Sequence, residues 1–137
     1  MNKIELINEL TAILKNKGFK KKENYWYKKI DDMMHYINIQ RSQYDKNDYY
    51  CNVCIAVDGY NDLEYPKDYH SQIEHRIGVY DDLKEQRNPP LEYIVKFTDD
   101  YFSRHDTIDK IVQSFKGKVG SMQFDMKYGE FRKFCES

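Results

Sequence analysis

At 137 residues the chain has the commonest length of a single domain, so residues 1–137 are read as one core without a linker. A hydrophobic content of 40%, with 15% aromatic residues, is enough to build that core, and a net charge of −1 excludes any global pull toward nucleic acid or an anionic membrane. The charge asymmetry is local: seven lysines stand against Glu23 between Lys15 and Lys29, whereas Asp45 to Asp68 is acidic. Tyrosine contributes 13 of the aromatic rings, and many of these are expected at the core boundary with the hydroxyl in water.

The first segment, MNKIELINELTAILKNKG, is interrupted every few positions by a charge or an amide. It reads as an amphipathic helix rather than a signal peptide or a membrane span, and with an odd cysteine count the expected setting is cytoplasmic and reduced. Ile4, Ile7, Leu10, Ile13 and Leu14 recur at helical steps and predict one buried stripe, ending at Gly18. Phe19–Lys22 and Tyr25–Ile30 then flank Glu23-Asn24 as a tight hairpin, with Asn24 the residue that tolerates the turn conformation.

Two alternating stretches follow. Met33, His35, Ile37 and Ile39 share one face of residues 33–44, with Tyr36, Asn38, Gln40 and Ser42 on the other; Tyr49, Cys51, Val53, Ile55 and Val57 share one face of residues 49–57. A one-residue slip moves every side chain to the opposite face, so the apolar match should set the parity. The expected register puts Ile37 beside Ile55, Ile39 beside Val53 and Gln40 opposite Asn52, with an odd loop around Asp45–Asp48 or a bulge. Residues 58–71 read as a polar loop. Ile73, His75, Ile77 and Val79 then alternate with Glu74, Arg76 and Tyr80 as another strand, and Asn88-Pro89-Pro90 breaks the chain. Residues 91–97 fit a strand or a short helix. Ile108, Ile111, Val112 and Phe115 trace a helix with Asp106 as N-cap and Gly117 after its end. In the tail, alternation at Met122–Tyr128 favours a strand followed by a helical turn. Strands in succession between a first and a last helix give an α+β class: an antiparallel sheet of about five strands with N-terminal and C-terminal helices packed on one face.

Chemistry is sparse. Cys51 and Cys54 have redox or zinc half-site spacing, yet three residues along a strand place them roughly 10 Å apart on opposite faces, beyond the ~7 Å reach of a disulfide. No second pair completes a zinc site, and a His70–His75 site with Asp68 or Glu74 matches no ligand spacing. Asp58, Asn61, Asp62 and Glu64 lack the central glycine and terminal glutamate of a calcium loop. No nucleophile elbow, phosphate loop or dinucleotide fingerprint is present, so neither metal nor cofactor is expected. The remaining candidate is the second sheet face, carrying Tyr36, Asn38, Gln40, Asn52, Glu74, Arg76 and Tyr80, a set suited to hydrogen-bonded recognition.

Gly18-Phe19-Lys20-Lys21, Trp26-Tyr27, Ile39-Gln40 with Ser42 and Tyr44, Asn52 in its strand, and Arg76-Ile77-Gly78 together resemble the domain of unknown function 4304 family over about residues 5–80. The chain departs from that pattern at Cys54, where a glycine is usual, and after Gly78, where an aromatic pair is usual. The resemblance implies no catalytic residue; its small bacterial members are similar in format to immunity proteins. The expected function is thus a binding module, monomeric or homodimeric, with a protein partner and no membrane. The alternatives are a small hydrolase or ligand-binding enzyme centred on Arg76, and nucleic-acid binding through the Lys20–Trp26 hairpin, where lysines would track phosphates and rings stack on bases.

Overall fold

The structure, a computed structural model, describes residues 3–41, 48–59, 63–71, 73–81 and 90–116, with the backbone alone at 48, 69, 78–81, 115 and 116. Helix α1 (Lys3–Asn16) precedes five strands, β1 (Lys20–Lys22), β2 (Tyr25–Ile30), β3 (Met33–Arg41), β4 (Asp48–Val57) and β5 (Ile73–Asp81). Helices α2 (Leu91–Arg104) and α3 (Ile108–Lys116) follow. The strands form one antiparallel sheet in the order β1-β2-β3-β4-β5. All three helices contribute to one core with the sheet: Leu6, Leu10, Leu14, Ile94, Phe102 and Ile111 pack with Trp26, Ile37, Val53 and Ile55. This is the α+β arrangement expected from the order of elements.

The buried seam of α1 is Leu6-Leu10-Leu14, and Ile4 is 69% exposed. The expected stripe is therefore rotated, because Ile4 lies ~200° around the helix from Leu6. The helix ends as foreseen at Gly18, whose φ of 92° is left-handed. Gly18 N–H donates to the Lys15 carbonyl at 3.1 Å and Phe19 N–H to the Leu14 carbonyl at 3.0 Å. That pair of bonds satisfies the last carbonyls and sets Phe19 against the core beside Leu14.

In the first hairpin turn the left-handed residue is Glu23 (φ 58°), not Asn24; Asp31 (φ 46°) serves the second turn between β2 and β3. The β3–β4 register keeps the expected parity but is displaced by two residues: Ile37 pairs with Val53, Ile39 with Cys51, and Gln40 with Tyr50. Asn38, rather than Gln40, stands opposite Asn52. Residues 91–97 open α2, whose buried face is Ile94, Thr98, Tyr101 and Phe102. The cap of α3 is Thr107, whose Oγ1 accepts from Lys110 N–H at 3.1 Å. Asp106 instead pairs with Lys110 Nζ at 2.8 Å. The tail reading for 119–137 lies outside the described residues.

The far side of the sheet is not the uniformly polar face expected. Tyr25, Tyr27, Tyr36, Cys54 and Ala56 form a second buried layer there. Residues 63–71 cover it, turning once as a 3-10 helix at Asp68–His70. Tyr27 Oη donates to the Pro66 carbonyl and Tyr36 Oη to the Lys67 carbonyl, both at 2.8 Å. Tyr25 Oη donates to Asp68 Oδ1 at 2.8 Å and accepts from Asp68 N–H at 3.1 Å. Burial holds all three phenols above their ordinary range, Tyr27 up to about 12.

Candidate binding face

The seven candidate residues separate along the strands. Tyr36 is fully buried under residues 63–71, so it belongs to the second layer and not to an open face. Glu74 pairs with Cys54 beside it, its Oε2 3.5 Å from Ser71 Oγ. Tyr80 is paired with Tyr49, whose ring lies in the helix-side core. A register shift between Tyr50 and Cys51 causes this: the extra residue in β5 takes position 80 out of the row of Arg76.

The other four come together. Asn38, Asn52 and Arg76 are directly opposite one another on β3, β4 and β5, forming one row that continues to Tyr25 on β2. Asn52 Nδ2 donates to Gln40 Oε1 at 2.9 Å. Arg76 Nε donates to Asn52 Oδ1 at 3.1 Å, and Arg76 Nη2 to Gln40 Oε1 at 3.2 Å. These bonds close a ring of three side chains. The guanidinium also lies 4.2 Å from the centroid of the Tyr50 ring. Tyr50 was missed in the sequence, although its even position on β4 places it on this face. Asn52 is buried and its amide is bonded at both ends, whereas Asn38, 4% exposed, has an Oδ1 without a partner among the described residues.

Among the described residues, the contacts made by Arg76 are with two amides and a tyrosine ring, none of them a base or nucleophile at neutral pH. Arg76 itself is exposed. Held against Asn52, Gln40 and Tyr50, its guanidinium is a planar, permanently charged donor group of the kind that matches a carboxylate.

The cysteines behave as their parity requires. Cys51 lies in the helix-side core and Cys54 in the second layer, both free and buried. Burial pushes the Cys51 thiol up to about 12 and the Cys54 thiol higher still, so neither is a reactive thiolate. His70 Nδ1 accepts from Lys67 N–H at 3.0 Å, and His75 packs 4.7 Å from the Phe97 ring. Asp58 of the acidic loop is ion-paired with Lys29, while Asn61 and Asp62 lie outside the described residues. Among the described residues no three His, Cys, Asp or Glu side chains gather around a common point. In the basic hairpin, Trp26 is 1% exposed with Nε1 bonded to Thr11 Oγ1, and Tyr25 and Tyr27 are in the second layer. The rings expected to stack on bases are thus committed to the two cores. No described helix is long and apolar enough to cross a membrane.

No curated protein and no solved structure matches the chain. A protein-family model does match, over residues 10–120, which extends the resemblance through α2 and α3. The chain therefore belongs to the family described as a domain of unknown function, DUF4304.

Proposed function

We propose that this protein is a binding module whose β3–β4–β5 face engages an acidic surface of another protein. The observation that supports this reading is the closed Gln40–Asn52–Arg76 ring over Tyr50. An exposed arginine ordinarily loses much rotamer freedom on binding; here the three contacts already fix it, so less is lost at the encounter. Arginine and tyrosine are also the side chains that most often dominate interface energies.

The test is site-specific photo-crosslinking in the native cell, with the reactive residue at position 74, two residues along β5 from Arg76 and outside the ring, and, as a control, at Glu92 on the helix side. One adduct of defined mass is expected from position 74, none of that mass from position 92. Arg76→Glu reverses the charge and should abolish the adduct while leaving the circular dichroism spectrum unchanged. Equal capture by Arg76→Glu would remove this face as the binding site.

A further inference from the structure

The two outer strands of the sheet differ in kind. β1 is three exposed lysines, whereas β5 runs nine residues, Ile73–Asp81, with no lysine or proline along it. Its one neighbour is β4, and among the described residues no strand pairs with its far edge. A long edge without such guards is a template for another strand. Residues 73–77 pair one for one with Cys51–Ile55 on β4, so the edge is regular there.

Those five residues, Ile73-Glu74-His75-Arg76-Ile77, are chemically symmetric about His75: apolar, acidic, imidazole, basic, apolar. When two identical strands pair antiparallel about a two-fold axis, residues equally far before and after the axis stand opposite each other. With His75 at the axis, Ile73 of one copy faces Ile77 of the other, and Glu74 faces Arg76, each pair occurring twice. Centred on Glu74 or Arg76 instead, the same strand would set that charge against its own copy. Ile73 and Ile77 belong to the helix-side core, and Arg76 is exposed on the opposite face. The helix side of this edge is aromatic: Tyr93 is 51% exposed, and the Phe97 ring lies 6.1 Å from it and 4.7 Å from the His75 ring.

We propose that the outer edge of β5 joins two copies of this chain, paired antiparallel about His75 so that one sheet runs through both. Glu74 of each copy stands against Arg76 of the other, since opposite charges directly across a strand pair attract and like charges repel. With His75 at the axis, the Phe97 ring of each copy comes beside that of the other and covers the seam on the helix side. The lysine strand β1 then ends the joined sheet at both extremities. The proposal does not rest on the acidic partner, whose crosslinked adduct differs in mass from two copies of the chain.

Sedimentation velocity over a concentration series tests it with charge reversals. The parent should sediment at twice the chain mass. Glu74→Arg and Arg76→Glu each turn both cross-strand pairs repulsive, so each alone should dissociate at least roughly tenfold more readily. Mixed in equal amounts, the two variants set arginine against glutamate in both pairs, and the mixture should recover the dimer. That recovery also shows both variants to be folded. The proposal fails if the parent stays monomeric throughout, the result when residues 119–137 or a different protein occupy this edge. It fails equally if either variant associates as the parent does, or if the mixture stays monomeric.

Discussion

Asn38 and Asn52 face each other across β3 and β4, yet only one of them is fully used. Asn52 gives its amide hydrogen to Gln40 and receives the Arg76 Nε–H, so its buried polar atoms are satisfied. Asn38 Oδ1 is buried with no partner among the described residues. An orphaned acceptor costs about 1–3 kcal/mol, whereas an apolar replacement of similar shape removes that cost. Asn38→Val should therefore be neutral or raise stability by about 1 kcal/mol. Asn52→Ala should lower it by roughly 2 kcal/mol or more, since it leaves a cavity and takes away the acceptor of the Arg76 Nε–H. Urea unfolding of the two variants checks both signs. A loss in both would mean that Asn38 is bonded in solution. These positions also show what the sequence could reveal: alternation assigned Asn38, Gln40, Asn52 and Arg76 to one face, but only coordinates tell a satisfied amide from an orphan.

At the scale of elements, His35 ties β3 to the end of α2. Its ring stacks on Phe102 at 4.4 Å, and its Nε2–H reaches the carbonyl of His105, the residue that closes the helix. Burial is the main cause of its depressed pKa, and Lys28 opposite it adds to the effect. The folded protein thus binds this proton less readily than the unfolded chain. The stabilising contribution is complete above pH 6.5 and declines as pH falls toward about 4, on the order of 3 kcal/mol across that interval. Stability should consequently fall between pH 6.5 and 4 in the parent, and fall less in His35→Gln, as read by thermal unfolding at each pH. Parallel curves would show that His35 charges freely in the fold. The pairing of elements was only partly legible. Parity could be inferred because a one-residue slip turns Asn38 toward the helices. A two-residue shift keeps Ile37 and Ile39 against Val53, Ile55 or Cys51, and the apolar pattern cannot distinguish those registers. The extra residue in β5 that moved Tyr80 left no mark in the alternation either.

In the whole molecule the sheet is covered on one side by α1, α2 and α3 and over part of the other by residues 63–71. The first layer was legible because leucine and isoleucine steps announce it. The second was not: it is built from tyrosines, which read equally as boundary residues, and its cover is a polar segment whose backbone carbonyls do the bonding. The sheet ends at β1, which is Lys20-Lys21-Lys22, all exposed. An outer strand offers unpaired backbone groups to any other strand, and charge along it opposes pairing between copies. Two copies meeting edge to edge would bring six ammonium groups together in place of three. Replacing the lysines with Thr-Val-Thr removes that repulsion and raises strand propensity without touching the helix-side core. The triple variant should therefore self-associate more strongly than the parent at equal concentration, most clearly at low ionic strength, where the parent's repulsion is least screened. Sedimentation velocity over a concentration series reads this directly. If the variant and parent sediment alike, another part of the chain shields this edge.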